Sequence, residues 1–326
     1  MLHVEHFDSF SSIQSAWESL ENKTTHYPFQ AFWYQKLFAE KFCKEEDVYS
    51  LGVFENEKLL AVGGFERVED TVLFLGMKQV LGGQDLTDYG DLLFDPGLND
   101  EQTKEIWQAI IAYLKSLNVK QLQLDFVRED SKTFTALKET QIISKDVMKQ
   151  EVAPYLIVPK TWEEYMTVLP RHERHEIKRK IKRFEETESF HFCSQATLEK
   201  DFEEFIRLHR LSDPEKNKFM SDEMKNFFWQ IVMAGKKNYR VDFCFLNIDG
   251  KCVASIMSLI GQGKALLYNS GFDPEYRYLS VGLILHAYLV KKSIEQKLQI
   301  HDFLRGNERY KYDLGAKDMQ LYKIVI

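Results

Sequence analysis

The chain has 326 residues, 44% of them hydrophobic and 29% charged, with a formal net charge of −7. That length holds two domains or one large one. The acidic balance disfavours wholesale binding to nucleic acid or anionic membrane and leaves that work to local basic patches.

The four cysteines, Cys43, Cys193, Cys244 and Cys252, form no C-x-x-C pair, and no His/Cys spacing suggests zinc. The expectation is therefore no metal, and buried free thiols in a reducing cytoplasm. The opening MLHVEHFDSFSS lacks the basic and apolar regions of a signal peptide. No apolar run approaches the roughly 20 residues of a membrane helix. A cytoplasmic protein without a membrane span is expected.

Taken in order, Leu2–Phe7 reads as a short strand. Ser11–Leu20 and Ala31–Phe42 carry apolar residues at helical spacing, for example Ile13, Trp17 and Leu20. Residues 49–54 and 59–65 form a hairpin around the polar Glu55–Lys58, and Thr71–Met77 adds a third strand. Leu81–Asp95 is a Gly- and Asp-rich loop containing Asp88-Tyr89-Gly90-Asp91. Asp100–Ser116 is an amphipathic helix, and Gln121–Phe126 alternates as a strand. A polar linker follows, about Arg128–Glu151, with a short helix and a strand-like Gln141–Ser144.

The second half opens with a strand at Pro154–Pro159, and Thr161 with Glu164 reads as a capping box. The helix Arg171–Phe184 is strongly basic. Its apolar stripe is Ile177, Ile181 and Phe184, with Arg174 and Lys178 on one flank and Arg179 on the other. These flanks either face solvent, partly compensated by Glu173 and Glu176, or hold an anion. Helices follow at Phe202–Leu211 and Asp222–Ala234, with Ser212–Ser221 read as a loop between them. Arg240–Leu246 and Lys251–Ile260 pair through Asn247-Ile-Asp-Gly250, a strong hairpin signal.

The most informative stretch is Ala265–Lys317. A strand at Ala265–Ser270 leads through a Gly/Asp/Pro turn into a helix from about Ser280 to Gln296. A short strand at Leu298–Leu304 and a Tyr-rich segment follow. Arg277, Ser280 and Gly282 stand where the chain enters the helix, and small residues there leave N–H groups open to an anion.

Arg277-x-x-Ser280-x-Gly282 resembles the pyrophosphate loop of the GNAT acyltransferase superfamily, with serine where the first glycine usually stands. Gly271-Phe-Asp-Pro-Glu275, Leu279-Ser-Val-Gly282 and Asp302-Phe-Leu-Arg-Gly306 before Tyr310-Lys311 resemble the CelD/BioF-type acetyltransferases, which are related to the FemABX peptidyltransferases. The Asp88–Asp91 phrase and Pro154–Pro159 followed by Trp162 resemble the same proteins. The resemblance implies an α/β fold with mixed sheets, built from two tandem GNAT-like units that we divide at 1–150 and 151–326.

It further implies acetyl-CoA or another acyl-CoA as cosubstrate. The cradle would be Arg277 and the backbone of Tyr278, Leu279, Ser280, Val281, Gly282 and Leu283. The N–H groups near Asn269 and Ser270 would face the thioester, on a strand splayed from its neighbour. Asp302 is a candidate base or orienting group, or else a structural carboxylate. Tyr310 is a candidate general acid, or a packing tyrosine, and Lys311 follows it in the family phrase. Asp88, Tyr89 and Asp91 would line the acceptor cleft, unless they serve a turn. Arg174, Lys178 and Arg179 would hold an anionic acceptor such as a sugar nucleotide. The expected function is N-acylation of an amino sugar or another small amine. The alternatives are transfer from aminoacyl-tRNA and a non-catalytic scaffold, the latter because a Cβ at Ser280 narrows the approach to pyrophosphate.

Overall fold

The structure, a computed structural model, describes residues 2–81, 83, 85–139, 146–186, 190–193, 197–235 and 238–326. The chain divides into two compact units, residues 1–152 with 319–326, and residues 153–318. The elements in chain order up to the end of the linker are β1 (Leu2–Phe7), α1 (Phe10–Glu21), α2 (Phe32–Phe42), β2 (Val48–Glu55), β3 (Lys58–Val68), β4 (Thr71–Phe74), β5 (Leu93–Phe94), α3 (Asp100–Ser116), β6 (Gln121–Arg128), α4 (Lys132–Glu139) and β7 (Asp146–Ile157). They continue with α5 (Trp162–Val168), α6 (Arg171–Glu185), β8 (Phe190–Cys193), α7 (Leu198–Ser212), α8 (Pro214–Phe219), α9 (Asp222–Ala234), β9 (Tyr239–Ile248), β10 (Lys251–Gly261), β11 (Lys264–Phe272), α10 (Val281–Glu295), β12 (Ile300–Asp302), α11 (Arg309–Asp313) and β13 (Lys317–Val325).

In the first unit the strands run β1-β2-β3-β4-β6-β13, with β5 on β3. β2 and β3 are buried continuously along their middles, as strands covered on both faces are, and polar at the Glu55–Lys58 turn, where Asn56 takes a positive φ. A core of Ile13, Trp17, Leu20, Phe32, Val62 and Leu93 fixes α1 and α2 against the strands. β4 and β6 are parallel, joined through α3. The last strand departs from the sequence reading, which ended the second half at Ile326. Leu321–Val325 instead pairs antiparallel with Gln123–Arg128 of β6, because Leu321 and Ile324 bury there completely.

In the second unit the strands run β7-β12-β11-β10-β9-β8. The β9–β10 hairpin turns at Asp249 and Gly250, both with positive φ, as Asn247–Gly250 predicts. The linker expectation stops short of the structure, since β7 already begins at Asp146 and runs through Pro154; Gln141–Ser144 lies outside the described residues. Helix α10 is apolar on nearly all sides. It buries Val281, Ile284, Leu285, Leu289 and Val290 among residues that include Ile177, Phe184, Ile256 and Phe303. That burial, about 1.5–3 kcal/mol for each large side chain, is what holds the start of α10 beside β11.

Ser212–Ser221 is not a loop. Asp213 caps α8 by accepting the Glu215 N–H at 2.8 Å, and Pro214 fills the first helical position. No described helix is long and apolar enough to cross a membrane.

Candidate active site

The site lies in the second unit, where β11 and β12 part. The two strands pair in parallel only at Lys264–Leu266 with Ile300–Asp302. Beyond Asp302 the chain follows β7 instead, with the Phe303 N–H donating to the Pro154 carbonyl at 3.0 Å. Among the described residues no strand pairs with that edge of β11 from Leu267 to Phe272. Its other edge carries a one-residue bulge at Tyr268 opposite Met257 and Ser258, which turns the strand at this point. Gly271 is required because a Cβ there would meet the His209 and Leu208 backbone at 2.4–2.5 Å.

The turn from β11 to α10 is fixed by Asp273. Its carboxylate accepts the Glu275 N–H at 3.1 Å and pairs with Lys251 at 2.8 Å, and that ammonium holds the acid well below the usual carboxylate range despite burial. Ser280 sits in the left-handed region, φ 59° and ψ 36°, with its N–H on the Arg277 carbonyl at 2.9 Å. A glycine would adopt this conformation without strain. Val281, Gly282 and Leu283 then begin the helix with no side-chain cap and no acid in the first turn. A Cβ on Gly282 would meet only Phe272, at 3.8 Å, so the space in front of these N–H groups is open. Arg277 is exposed and lies over the Phe272 ring at 5.8 Å; Tyr278 is exposed, whereas Leu279 and Val281 turn into the core. An anionic ligand group fits this cradle.

Across the opening, residues 303–311 form a turn closed by Lys311. Its Nζ, 2% exposed, donates to the carbonyls of Leu304, Arg305 and Gly306 at 3.1, 2.7 and 3.0 Å and pairs with Glu308 at 2.9 Å. This lysine is enclosed by the loop it organises. The same turn sets Tyr310 flat on His286, ring centroids 4.6 Å apart. Burial, with Glu308 nearby, pushes the Tyr310 phenol up, and burial drives His286 down to about 3. Both are therefore neutral near pH 7. Asp302 is fully buried, and its Oδ1 accepts the Leu304 N–H at 2.8 Å.

The edge of β11 differs from its sequence reading. The Ser270 N–H, expected to face a thioester, donates to Asn269 Oδ1 at 2.9 Å. The same oxygen lies 2.9 Å from His209 Nε2, which must therefore be the protonated nitrogen of a neutral ring. Burial drives this histidine to about 3. The Ser270 carbonyl accepts from Lys216 Nζ of α8 at 2.6 Å. His209, Lys216 and Glu308 were missed by the sequence reading; the Asp213-Pro214 helix start was the available signal.

The proposed acceptor residues do not converge in one element. On α6, Arg174 is half-buried with Nη2 donating to the Leu169 carbonyl at 3.1 Å, Arg179 forms two bonds to Glu176 at 3.1 and 2.7 Å, and Lys178 is exposed. In the first unit, Tyr89 is 1% exposed, its ring against Tyr27 and Phe29 and beneath Arg128. Asp91 accepts from Thr133 Oγ1 and from the Leu92 N–H, and burial pushes it up to about 7. Asp88 is half-buried beside them.

Residues 171–312 match the family model of the acetyltransferase (GNAT) domain. Among solved structures, FemX is similar over 99% of this chain and 96% of its own, at 10% identity and a TM-score of 0.65. L-PGS from Bacillus licheniformis is similar over 95% and 90%, at 10% identity and 0.58. A tandem GNAT protein from the clavulanic acid biosynthesis pathway is similar over 99% and 98%, at 10% identity and 0.53. At such identities the likeness is one of fold. No curated protein matches the chain.

Proposed function

Starting from a chain that carries a GNAT-type acetyltransferase domain within a two-unit fold like that of FemX, we propose that it transfers an acyl group, most simply acetyl, from acyl-CoA to the amine of a small acceptor such as an amino sugar. The observation that carries this reading is the uncapped, acid-free start of α10 beside the unpaired edge of β11. An uncapped helix start beside a strand edge that no described strand covers suits a donor with a polyphosphate at one end and a thioester at the other.

In this reading the N–H groups of Val281, Gly282 and Leu283 take the pyrophosphate, and Arg277 adds charge at its rim. The acceptor nitrogen attacks the thioester carbon, and the amide forms as the carbon–sulfur bond breaks. Overall one proton leaves nitrogen and one reaches sulfur. Tyr310 stays protonated at neutral pH and supplies the proton to the leaving thiolate, and the proton released by the acceptor nitrogen restores the phenol. Asp302 orients the turn after β12, and Lys311 holds that turn closed, which fixes Tyr310. In the second unit, Arg174, Lys178 and Arg179 are the candidates for the acceptor.

A second reading keeps the fold and takes the donor from aminoacyl-tRNA. It is favoured by α6, which carries seven basic and three acidic side chains over Arg171–Glu185 on a chain of net charge −7. The test supplies labelled acetyl-CoA and labelled aminoacyl-tRNA in parallel with a panel of small amines and amino sugars. Acceptor-dependent release of CoA thiol with a labelled amide supports the first reading. Label transferred only from tRNA, with no thiol release, supports the second.

A further inference from the structure

We propose that Lys216 is a catalytic cation of this site: held on the Ser270 carbonyl at the open edge of β11, its ammonium hydrogen-bonds the donor's acyl oxygen. This rests on the acyl-CoA reading above. An ammonium has three donors. One is used at 2.6 Å on Ser270, and among the described residues no other acceptor is bonded to it. The neighbouring Ser270 N–H, which a strand edge would otherwise offer to a thioester, is occupied by Asn269 Oδ1. The edge therefore presents a charged side-chain donor in place of a backbone one.

Two further features fix that position. α8 is capped by Asp213 and begun by Pro214, so Lys216 stands on a short, defined turn. The His209–Asn269 bond and the close approach at Gly271 seat α7, which leads into α8, directly on β11. When the amine attacks, the carbonyl π pair moves onto oxygen; collapse restores the C=O bond and expels the thiolate. Lys216 keeps its proton throughout and stabilises the charge on oxygen. The titratable groups around it are the acids Asp213 on its own helix and Glu308 before α11, and the neutral imidazoles His209 on α7 and His286 on α10. Burial lowers the Lys216 ammonium below the usual lysine range, and the two acids oppose that only in part. Activity that needs the ammonium is present below this pKa and lost as pH rises through it.

The test uses the full chain with acetyl-CoA carrying a 13C label at the carbonyl, read by difference infrared spectroscopy, beside calorimetric affinities and thermal melts of the same proteins. The wild type is expected to lower the carbonyl stretch of the bound donor. Lys216→Met removes that shift while acetyl-CoA affinity changes less than about threefold, because the phosphates are held elsewhere. Lys216→Arg retains part of the shift. In turnover, Lys216→Met is expected to lower kcat by about 100-fold or more, and the alkaline limb of the pH profile moves upward in Lys216→Arg. A lysine that merely pins α8 to β11 would move none of the spectra. Bound donor with an unshifted carbonyl in the wild type, or a shift that survives in a folded Lys216→Met, overturns this proposal alone. Failure of the folded wild type to bind acetyl-CoA overturns it together with the acyl-CoA reading.

Discussion

Each unit contains a parallel strand–helix–strand crossover, and the two differ where the helix begins. In the first, Thr71–Leu73 pairs with Gln121–Gln123; in the second, Lys264–Leu266 pairs with Ile300–Asp302. α3 opens with a closed capping box: Asn99 Oδ1 accepts the Gln102 N–H at 2.9 Å, and Gln102 Oε1 accepts the Asn99 N–H at 3.0 Å. Asp100 and Glu101 add negative charge to its first turn. α10 has no side-chain cap and no acid in its first turn, and Gly282 leaves the approach open. A capped, acidic start stabilises its own helix and repels an anion. An uncapped, small-residue start does the reverse. The same topology thus carries a capped, acidic helix start in one unit and an uncapped, acid-free one in the other.

The comparison breaks most sharply at Gly282. A Gly282→Trp side chain would fill the space before the first-turn N–H groups, and acetyl-CoA affinity should fall by about 100-fold or more by calorimetry, with the thermal melt retained. Arg277→Glu reverses an exposed charge at the same rim and should weaken binding by about 10-fold, an effect that shrinks in high salt. Asn99→Ala removes the α3 cap and should lower unfolding free energy in denaturant by about 1 kcal/mol, with acetyl-CoA affinity unchanged. Ser280→Gly relieves the left-handed serine and should raise stability by about 0.5–1 kcal/mol, with affinity altered less than about twofold. A large loss of affinity in Asn99→Ala would reverse the roles assigned to the two helix starts.

Much of this was legible locally. Apolar spacing placed α1, α2, α3 and α9 closely, and Asn247–Gly250 announced its hairpin. The order strand, turn, helix, strand after Ala265 matches β11, α10 and β12, because helix starts and tight turns are written in adjacent residues. What escaped depends on side-chain bonds that no apolar pattern announces and, for the last strand, on a distant partner. SDPEKNKFMS has no apolar periodicity, so its polar composition read as a loop, although Asp213 and Pro214 are a helix start. Asp302 read as a carboxylate within a strand, whereas β12 ends at Asp302 and Leu304 supplies its hydrogen bond. Lys311 read only as part of the Tyr-Lys phrase, whereas three carbonyls brought together by a turn enclose it. The Ser270 N–H was lost to a side chain one residue away, which no spacing rule anticipates. The return of the last strand to β6 rests on long-range burial of Leu321 and Ile324.

The most direct measurement is amide hydrogen exchange of the full chain with and without saturating acetyl-CoA. The account predicts slowed exchange at 281–285 and at 267–271, with residues 100–105 unchanged. Protection at the start of α3, or none at the start of α10, would contradict it.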